Sequence, residues 1–346
     1  MATKPASILE CINQNTRYIA NLANSLGMNP DSSVADIELA LASYVQSSVT
    51  ETAINSAYSK TEEPTTLQTS KGLFFFANGT PITITAREDK NPGATITWNN
   101  GSLDVASNAK IFGGRHDDDT KTNTSVTMKS GAVDLISGGG MHKSHTVIAK
   151  VTMTGGTVKS IQGAGCSSFT HDCGCENATP WYAGDPVDSP CITEDATVTL
   201  TGGECTALVY GGGEGISYTK KSTVNIGGTF KAYYVTPGGS NGGTTSANVK
   251  VSGNAEIKIL QGINRGTVDT ITEVIDGGKI YKMFAGAEIP FKGSPENPDT
   301  TNSDATGTFK KCIVSISKNA NIIEFSLGGN SYVAIPEKND YVVITK

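Results

Sequence analysis

A unit of about twenty-five residues recurs along most of the chain, a spacing typical of stacked repeats. Three copies show it plainly: Val126-Thr-Met-Lys-Ser-Gly131-Ala-Val133-Asp-Leu-Ile136-Ser-Gly-Gly-Gly140, Val151-Thr-Met-Thr-Gly-Gly156-Thr-Val158-Lys-Ser-Ile161-Gln-Gly163, and Val198-Thr-Leu-Thr-Gly-Gly203-Glu-Cys205-Thr-Ala-Leu208-Val-Tyr-Gly-Gly-Gly213. A fixed period of this length belongs to solenoids, propellers and arrays, where each unit buries its apolar face only by stacking on its neighbours. The chain is therefore constrained to be a scaffold before it is anything else.

Aligned on the second glycine of the Gly-Gly pair, or on the residue standing there, the units have anchors at Gly101, Gly131, Gly156, Gly203, Gly228, Asn254, Gly278 and Asn319. The undisturbed steps from 131 to 156, 203 to 228, 228 to 254 and 254 to 278 are 25, 25, 26 and 24 residues. Longer steps mark insertions at 164–196, which holds most of the cysteines, and at 287–311, which is rich in Pro, Asn, Asp and Thr. A variant of the unit puts asparagine at the turn in Val105-Ala-Ser-Asn108-Ala-Lys-Ile111, Val251-Ser-Gly-Asn254-Ala-Glu-Ile257 and Ile316-Ser-Lys-Asn319-Ala-Asn-Ile322. Asparagine tolerates left-handed backbone best after glycine, so these three are expected to adopt it.

Apolar residues alternate within each unit, as in Val151-Thr-Met153 and Val224-Asn-Ile226. A period of two sends one set inward and the other to water, which is a strand pattern. Two or three short strands per unit, each followed by a glycine bend, predict one rung of a right-handed parallel β-helix with about 24–26 residues per rung. Stacking then places Val126 over Val151 and Met128 over Met153, and eight rungs at about 4.8 Å give a rod on the order of 40 Å. A sandwich of hairpins would need shorter, less uniform spacing with Asn-Gly or Asp-Gly turns. The Gly-Gly-Gly runs are not phosphate cradles, because strand sequence and not a helix follows them.

Ahead of the repeats, residues 5–27 carry Ile8, Ile12, Ile19, Leu22 and Leu26 at helical spacing, with Gly27 as a stop. A second helix is expected after Ser33, with Asp36 completing a capping box and Val34, Ile37, Leu41 and Tyr44 on one face. The predicted organisation is thus a helical anchor over 1–45, a Ser/Thr/Glu-rich linker or neck over 46–72, and the β-helix over 73–346. The first strands are expected at Leu73-Phe-Phe-Phe76 and Ile82-Thr-Ile84.

Composition narrows the function. A net charge of −6 with only four arginines, Arg17, Arg87, Arg115 and Arg265, gives no phosphate-neutralising surface, so nucleic acid is not an expected partner. The 39 glycines sit at matching places in the unit, which argues for turns and not for disorder. No apolar stretch has the length of a membrane span, and Met1-Ala-Thr-Lys-Pro lacks the basic and apolar regions of a signal peptide, so synthesis in a cytoplasm without membrane insertion is expected.

The most distinctive chemistry lies in the first insertion, where Cys166, His171, Cys173, Cys175 and Cys191 fall within 26 residues. Four thiols and an imidazole are able to hold a structural zinc ion that folds a loop. The same residues also read as plain thiols, or as disulfides formed in an oxidising medium. A metal or disulfide clamp is the preferred reading, and no cofactor beyond a structural Zn is expected. Cys11, Cys205 and Cys312 occupy apolar positions and read as core.

Arg115-His-Asp117-Asp118-Asp119 is an acidic cluster beside a base. Polysaccharide-cleaving β-helices use carboxylates on an exposed groove as acid/base pairs or calcium ligands. The same stretch is equally a solvated connection, and the latter is preferred, leaving no assigned catalytic residue. His142 and His145 share a loop and could join a cation site, with surface solvation the preferred reading. Trp181 and Tyr182 are the candidate sugar-stacking pair, whereas Tyr233 is expected to fill the core.

N-terminal helices, a Ser/Thr-rich neck and a Gly-punctuated β-helix resemble the fibre and spike proteins of tailed bacteriophages. The Thr-Val-x-φ-x-Gly-Gly units look like β-helical adhesin-type proteins of gut bacteria and their phages. The resemblance covers architecture over most of the chain, and its motifs are structural. It implies a homotrimeric virion appendage, a head fibre or tail fibre, that docks on other virion proteins through residues 1–45 and meets host-surface polysaccharide distally. A tailspike-like depolymerase and a bacterial adhesin module are the alternatives.

Overall fold

Alternating Val, Ile and Thr make strands wherever the chain is described, and no helix occurs among the described residues. The structure is a computed structural model. It describes residues 62–69, 71–167, 191–215, 217–240, 242–264, 266–285 and 307–326, with the strands Lys292–Ser294, Asn297–Asp299 and Tyr341–Thr345. The helical anchor expected over 1–45 and most of the expected neck lie outside the described residues. The end of that neck differs from expectation. Thr65–Thr69 is a strand, paired antiparallel with Gly72–Phe76.

Two long sheets, one of ten strands and one of eleven, hold nearly all of the chain's described strands. Successive strands alternate between them. In the first sheet Lys110–Phe112, Ala132–Ser137, Thr157–Gln162, Glu204–Tyr210, Lys231–Thr236, Glu256–Gln261, Lys279–Phe284 and Asn321–Ser326 follow one another in parallel. In the second, Thr122–Met128, His145–Met153, Cys191–Leu200, Ser217–Ile226, Gly243–Val251, Thr267–Ile275 and Thr308–Ile316 do the same. Each unit therefore lays one strand on each sheet and advances both by one step.

A third, minor ladder runs beside them. His116, Met141, Cys166, Glu214 and Ser240 pair in parallel from unit to unit.

Register stacks like on like. Val126, Val151, Val198, Val224 and Val249 are consecutive partners in the second sheet, and Met128 lies on Met153. Ile111, Ile136, Ile161, Val209, Val235, Leu260, Met283 and Phe325 are the matching row of the first. Both rows point into one continuous apolar core. Ile136 is 0 % exposed, so Ile136→Ala is expected to cost about 2–5 kcal/mol, read as a lower urea midpoint at unchanged m.

Glycine is demanded at two kinds of place. Gly156 has φ +91°, and a Cβ there would stand 2.6 Å from Met128 Cε. At Gly163 a Cβ would stand 2.2 Å from the Gly211 carbonyl of the next unit, so the backbone itself occupies the side-chain space.

Two sequence expectations about turns are corrected. Gly101 does not anchor a unit: Ala94–Trp98 and Gly101–Val105 form an antiparallel hairpin inserted between the two sheets' strands. The residues alternate there as in a rung, but Ile96 faces Leu103 on its own hairpin instead of an equivalent residue one unit away. The second correction concerns the asparagines. None of Asn108, Asn254 and Asn319 has positive φ. The Ala109 amide donates to the Ala106 carbonyl at 3.0 Å, and Ala320 to Ser317 at 3.1 Å, so Asn108 and Asn319 close right-handed β-turns. In the remaining case the left-handed residue is Gly253, at φ +65°.

Antiparallel strands sit at the sheet margins: Thr65–Thr69 on the first sheet, and the inserted hairpin and Tyr341–Thr345 on the second. A register that changes direction there interrupts the parallel ladder on which a further copy would add.

Candidate functional site

The turn after each first-sheet strand carries most of the chemistry. Gly113-Gly114 leads into Arg115 to Asp119, and one unit later Gly138-Gly-Gly140 leads into Met141 to His145. The parallel bridge from His116 to Met141 holds the two turns side by side.

Arg115 is buried at 4 % exposure. Its Nη1 donates to Glu62 Oε2 at 2.6 Å and to Asp118 Oδ2 at 3.1 Å, and these partners, Glu62 first, raise its already high pKa. Asp118 also accepts the Thr120 amide at 2.9 Å, and its carboxyl is held below the ordinary range by Thr120 first and Arg115 second. Asp118 is thus a fixed carboxylate bracing its own loop. Asp117 sits at φ +50°, its amide donating to the Met141 carbonyl at 3.1 Å, and Asp117 and Asp119 are both exposed. A general acid at neutral pH needs a carboxyl raised by burial. Glu273 is raised, but it is sealed in the core at 0 % exposure, away from any substrate.

His116 and His142 meet across adjacent units, their ring centres 5.3 Å apart and inclined by 74°. His116 also lies 4.9 Å from the Phe76 ring. Burial lowers both imidazole pKa values, and Asp117 opposes that shift at each. His145 does not join this pair by any contact on its ring: its Nε2 lies 2.9 Å from Glu194 Oε1, which also attracts Lys121 Nζ at 3.7 Å. The expected partnership of His142 with His145 is therefore replaced by one with His116. In the sequence His142 stands one residue beyond Met141, the residue that pairs with His116 one unit on.

Of the five residues of the expected cysteine clamp, Cys166 and Cys191 are described, and both are buried. Cys166 packs with Phe74, Phe76, Phe112, Leu135 and Met141. Cys191 Sγ lies 3.1 Å from Ser144 Oγ, and burial pushes its thiol up to about 12. His171, Cys173 and Cys175, and the sugar-stacking candidates Trp181 and Tyr182, lie outside the described residues. Among the described residues no three His, Cys, Asp or Glu side chains are assembled as a metal-ligand set. Cys205 and Cys312 are core residues, as expected.

The tyrosine expectation reverses. Tyr234 is buried at 1 % exposure while Tyr233 is half-buried, because the strand Lys231–Thr236 turns Ala232 and Tyr234 to covered positions. On the outer side of the first sheet, Tyr281 lies under Lys258 Nζ at 3.7 Å and Lys279 Nζ at 4.4 Å, and its hydroxyl donates to Glu256 Oε1 at 2.8 Å. Tyr218 is 43 % exposed on the second sheet, its hydroxyl 2.7 Å from Thr245 Oγ1.

No protein-family model, curated protein or solved structure matches the chain. The functional reading therefore rests on the residues and their geometry.

Proposed function

We propose that the chain is a structural virion appendage, a head fibre or tail fibre of a tailed bacteriophage, whose two parallel sheets are the faces of a right-handed β-helix used for host-surface adhesion. The observation that carries this reading is the in-register stacking of like residues from Val126 to Val249, with the glycine turns packed backbone to backbone. Such a ladder yields a stiff scaffold whose outer faces carry polar and aromatic groups for glycans, as at the exposed Tyr218. Residues 1–45 attach it to other virion proteins, and three copies associate.

Deleting residues 1–45 is expected to abolish incorporation into particles while leaving the sheets folded by circular dichroism; normal incorporation of the truncated chain sinks the anchor assignment. Analytical ultracentrifugation of the full chain is expected to give the mass of three copies. The depolymerase alternative is weaker because Asp118 is committed to Arg115 and Thr120. Host polysaccharide incubated with the protein is expected to keep its chain length, and shortening of the polymer would overturn the adhesion-only reading.

A further inference from the structure

We infer that Tyr218 is the stacking platform of a binding site for a neutral hexopyranose polysaccharide, on the outer face of the second sheet. The inference rests on the adhesion reading and names the sugar class and the residues that meet it. Tyr218 is 43 % exposed, the most exposed Phe, Tyr or Trp side chain among the described residues. Its ring is held at two points on the neighbouring strand. A Cβ at Gly243 would lie 3.5 Å from Tyr218 Cδ2, and the Tyr218 hydroxyl lies 2.7 Å from Thr245 Oγ1. The ring therefore leans along the strand Gly243–Val251, ordered before a ligand arrives, so stacking costs little side-chain freedom. A hexopyranose presents a face of C–H groups rimmed by hydroxyls. The C–H face suits an aromatic ring, and the hydroxyls need a few polar groups at the edge of the patch.

The surroundings supply both. Ile192 pairs with Tyr218 in register on one side and is half-buried, which extends the apolar patch. On the other side Gly243 pairs with Tyr218 and sets no side chain beside the ring. Gly243 pairs in turn with Thr267, which is exposed and brings a hydroxyl. Lys220, exposed two residues beyond Tyr218, brings ammonium donors for a sugar oxygen. Charge selects a neutral sugar. On these strands Lys221 Nζ lies 3.6 Å from Asp195 Oδ2, Lys310 Nζ 2.7 Å from Asp269 Oδ1, and His145 Nε2 2.9 Å from Glu194 Oε1. The charges are matched within the protein, so they form no cluster of one sign to draw a polyanion. A single stacked ring binds one sugar weakly, and several copies acting on one polymer bind it far more firmly.

The test is affinity electrophoresis of the full chain through gels holding a neutral α-glucan, a neutral β-glucan, a neutral galactan or anionic polygalacturonate. The wild-type protein is expected to be retarded by at least one neutral polymer. Tyr218→Ala is expected to weaken that binding about tenfold, and Tyr218→Trp, which keeps a ring, to retain it. Tyr218→Phe and Thr245→Val break the same hydrogen bond, so each is expected to weaken binding about two- to threefold and the double variant no further. Tyr281→Ala, on the first sheet, is expected to bind as the wild type does. The Tm of each variant reports whether it is folded, and Tyr218→Ala, at an exposed position, is expected to match the wild type. Undiminished binding by Tyr218→Ala, retardation by polygalacturonate alone, or no retardation by any of the polymers overturns the inference. The adhesion reading fails separately, if the full chain does not bind host cells.

Discussion

Glu273→Val is expected to raise stability at pH 9 by on the order of 3–5 kcal/mol and to remove most of the pH dependence of unfolding between pH 5 and pH 8. Glu273 stands in the valine row of the second sheet, between Val249 and Val314 in register, and is 0 % exposed. Neither of its carboxylate oxygens has a hydrogen-bond partner. Burial alone pushes its pKa from the ordinary 4.5 up to about 8.

The sign follows from which state ionises first. Below about pH 4.5 the carboxyl is protonated in both states and carries no ionisation penalty. Between about 4.5 and 8 the unfolded chain ionises while the folded one stays neutral, so stability falls by about 1.4 kcal/mol per pH unit. Above about 8 the loss is complete. Valine carries no such term and continues the row. Urea unfolding of both proteins at pH 5 and pH 9 measures the effect, and an equal pH slope in the two would show that the buried carboxyl is not responsible. Glu273→Gln separates charge from shape: it is expected to flatten the slope as well, while gaining less because its amide stays unpartnered.

Gly163→Val is expected to be severely damaging, costing more than about 3 kcal/mol or preventing folding altogether. The new Cβ would stand 2.2 Å from the Gly211 carbonyl oxygen and 2.8 Å from Val198 Cγ2. Backbone cannot swing aside as the end of a side chain does, so the two units would have to separate locally. Gly138, whose Cβ would stand 2.2 Å from the Gly163 carbonyl, is expected to behave alike. Gly243 is the control. Its Cβ would meet Tyr218 Cδ2 at 3.5 Å and Thr267 Oγ1 at 3.6 Å, which is ordinary contact. Gly243→Ala is expected to be neutral or stabilising by up to about 1 kcal/mol through the unfolded state. Thermal unfolding of the three variants orders them, and a Gly163 variant as stable as the Gly243 variant would refute the close-packing account.

The candidate site was only partly legible. Arg115 to Asp119 stood out as a charge cluster, yet composition could not say that Asp118 is spent on Arg115 and Thr120 or that Arg115 reaches back to Glu62, 53 residues earlier. The proximity of His142 and His145 in the chain suggested a pair. On a strand-leading turn, neighbours in sequence are sent to different partners, and His145 enters the second sheet to meet Glu194. His116 and His142 are brought together by stacking. The register of the turns, which sets His142 one residue beyond the partner of His116, brings them together.

What the amino-acid order determined by itself was the period, the strand alternation, and the rows that follow from them. Val126 lies on Val151 and Met128 on Met153 because the glycine turns restart the same alternation at the same point of each unit. Even Glu273 could be placed by that rule, since Ile271 and Ile275 flank it at the inward spacing. Tertiary structure decided what a repeat leaves degenerate. Thr65–Thr69 became a strand because an edge was available to it, and Ala94–Val105 folded on itself because local antiparallel pairing needs no neighbouring unit. Asn108 and Asn319 took right-handed turns because the β-turn closing each one supplies the reversal without positive φ. Burial of an unpaired carboxyl and the meeting of two histidines are likewise consequences of which unit lies above which. Periodicity specifies the step, and only packing in three dimensions assigns each polar group its partner or denies it one.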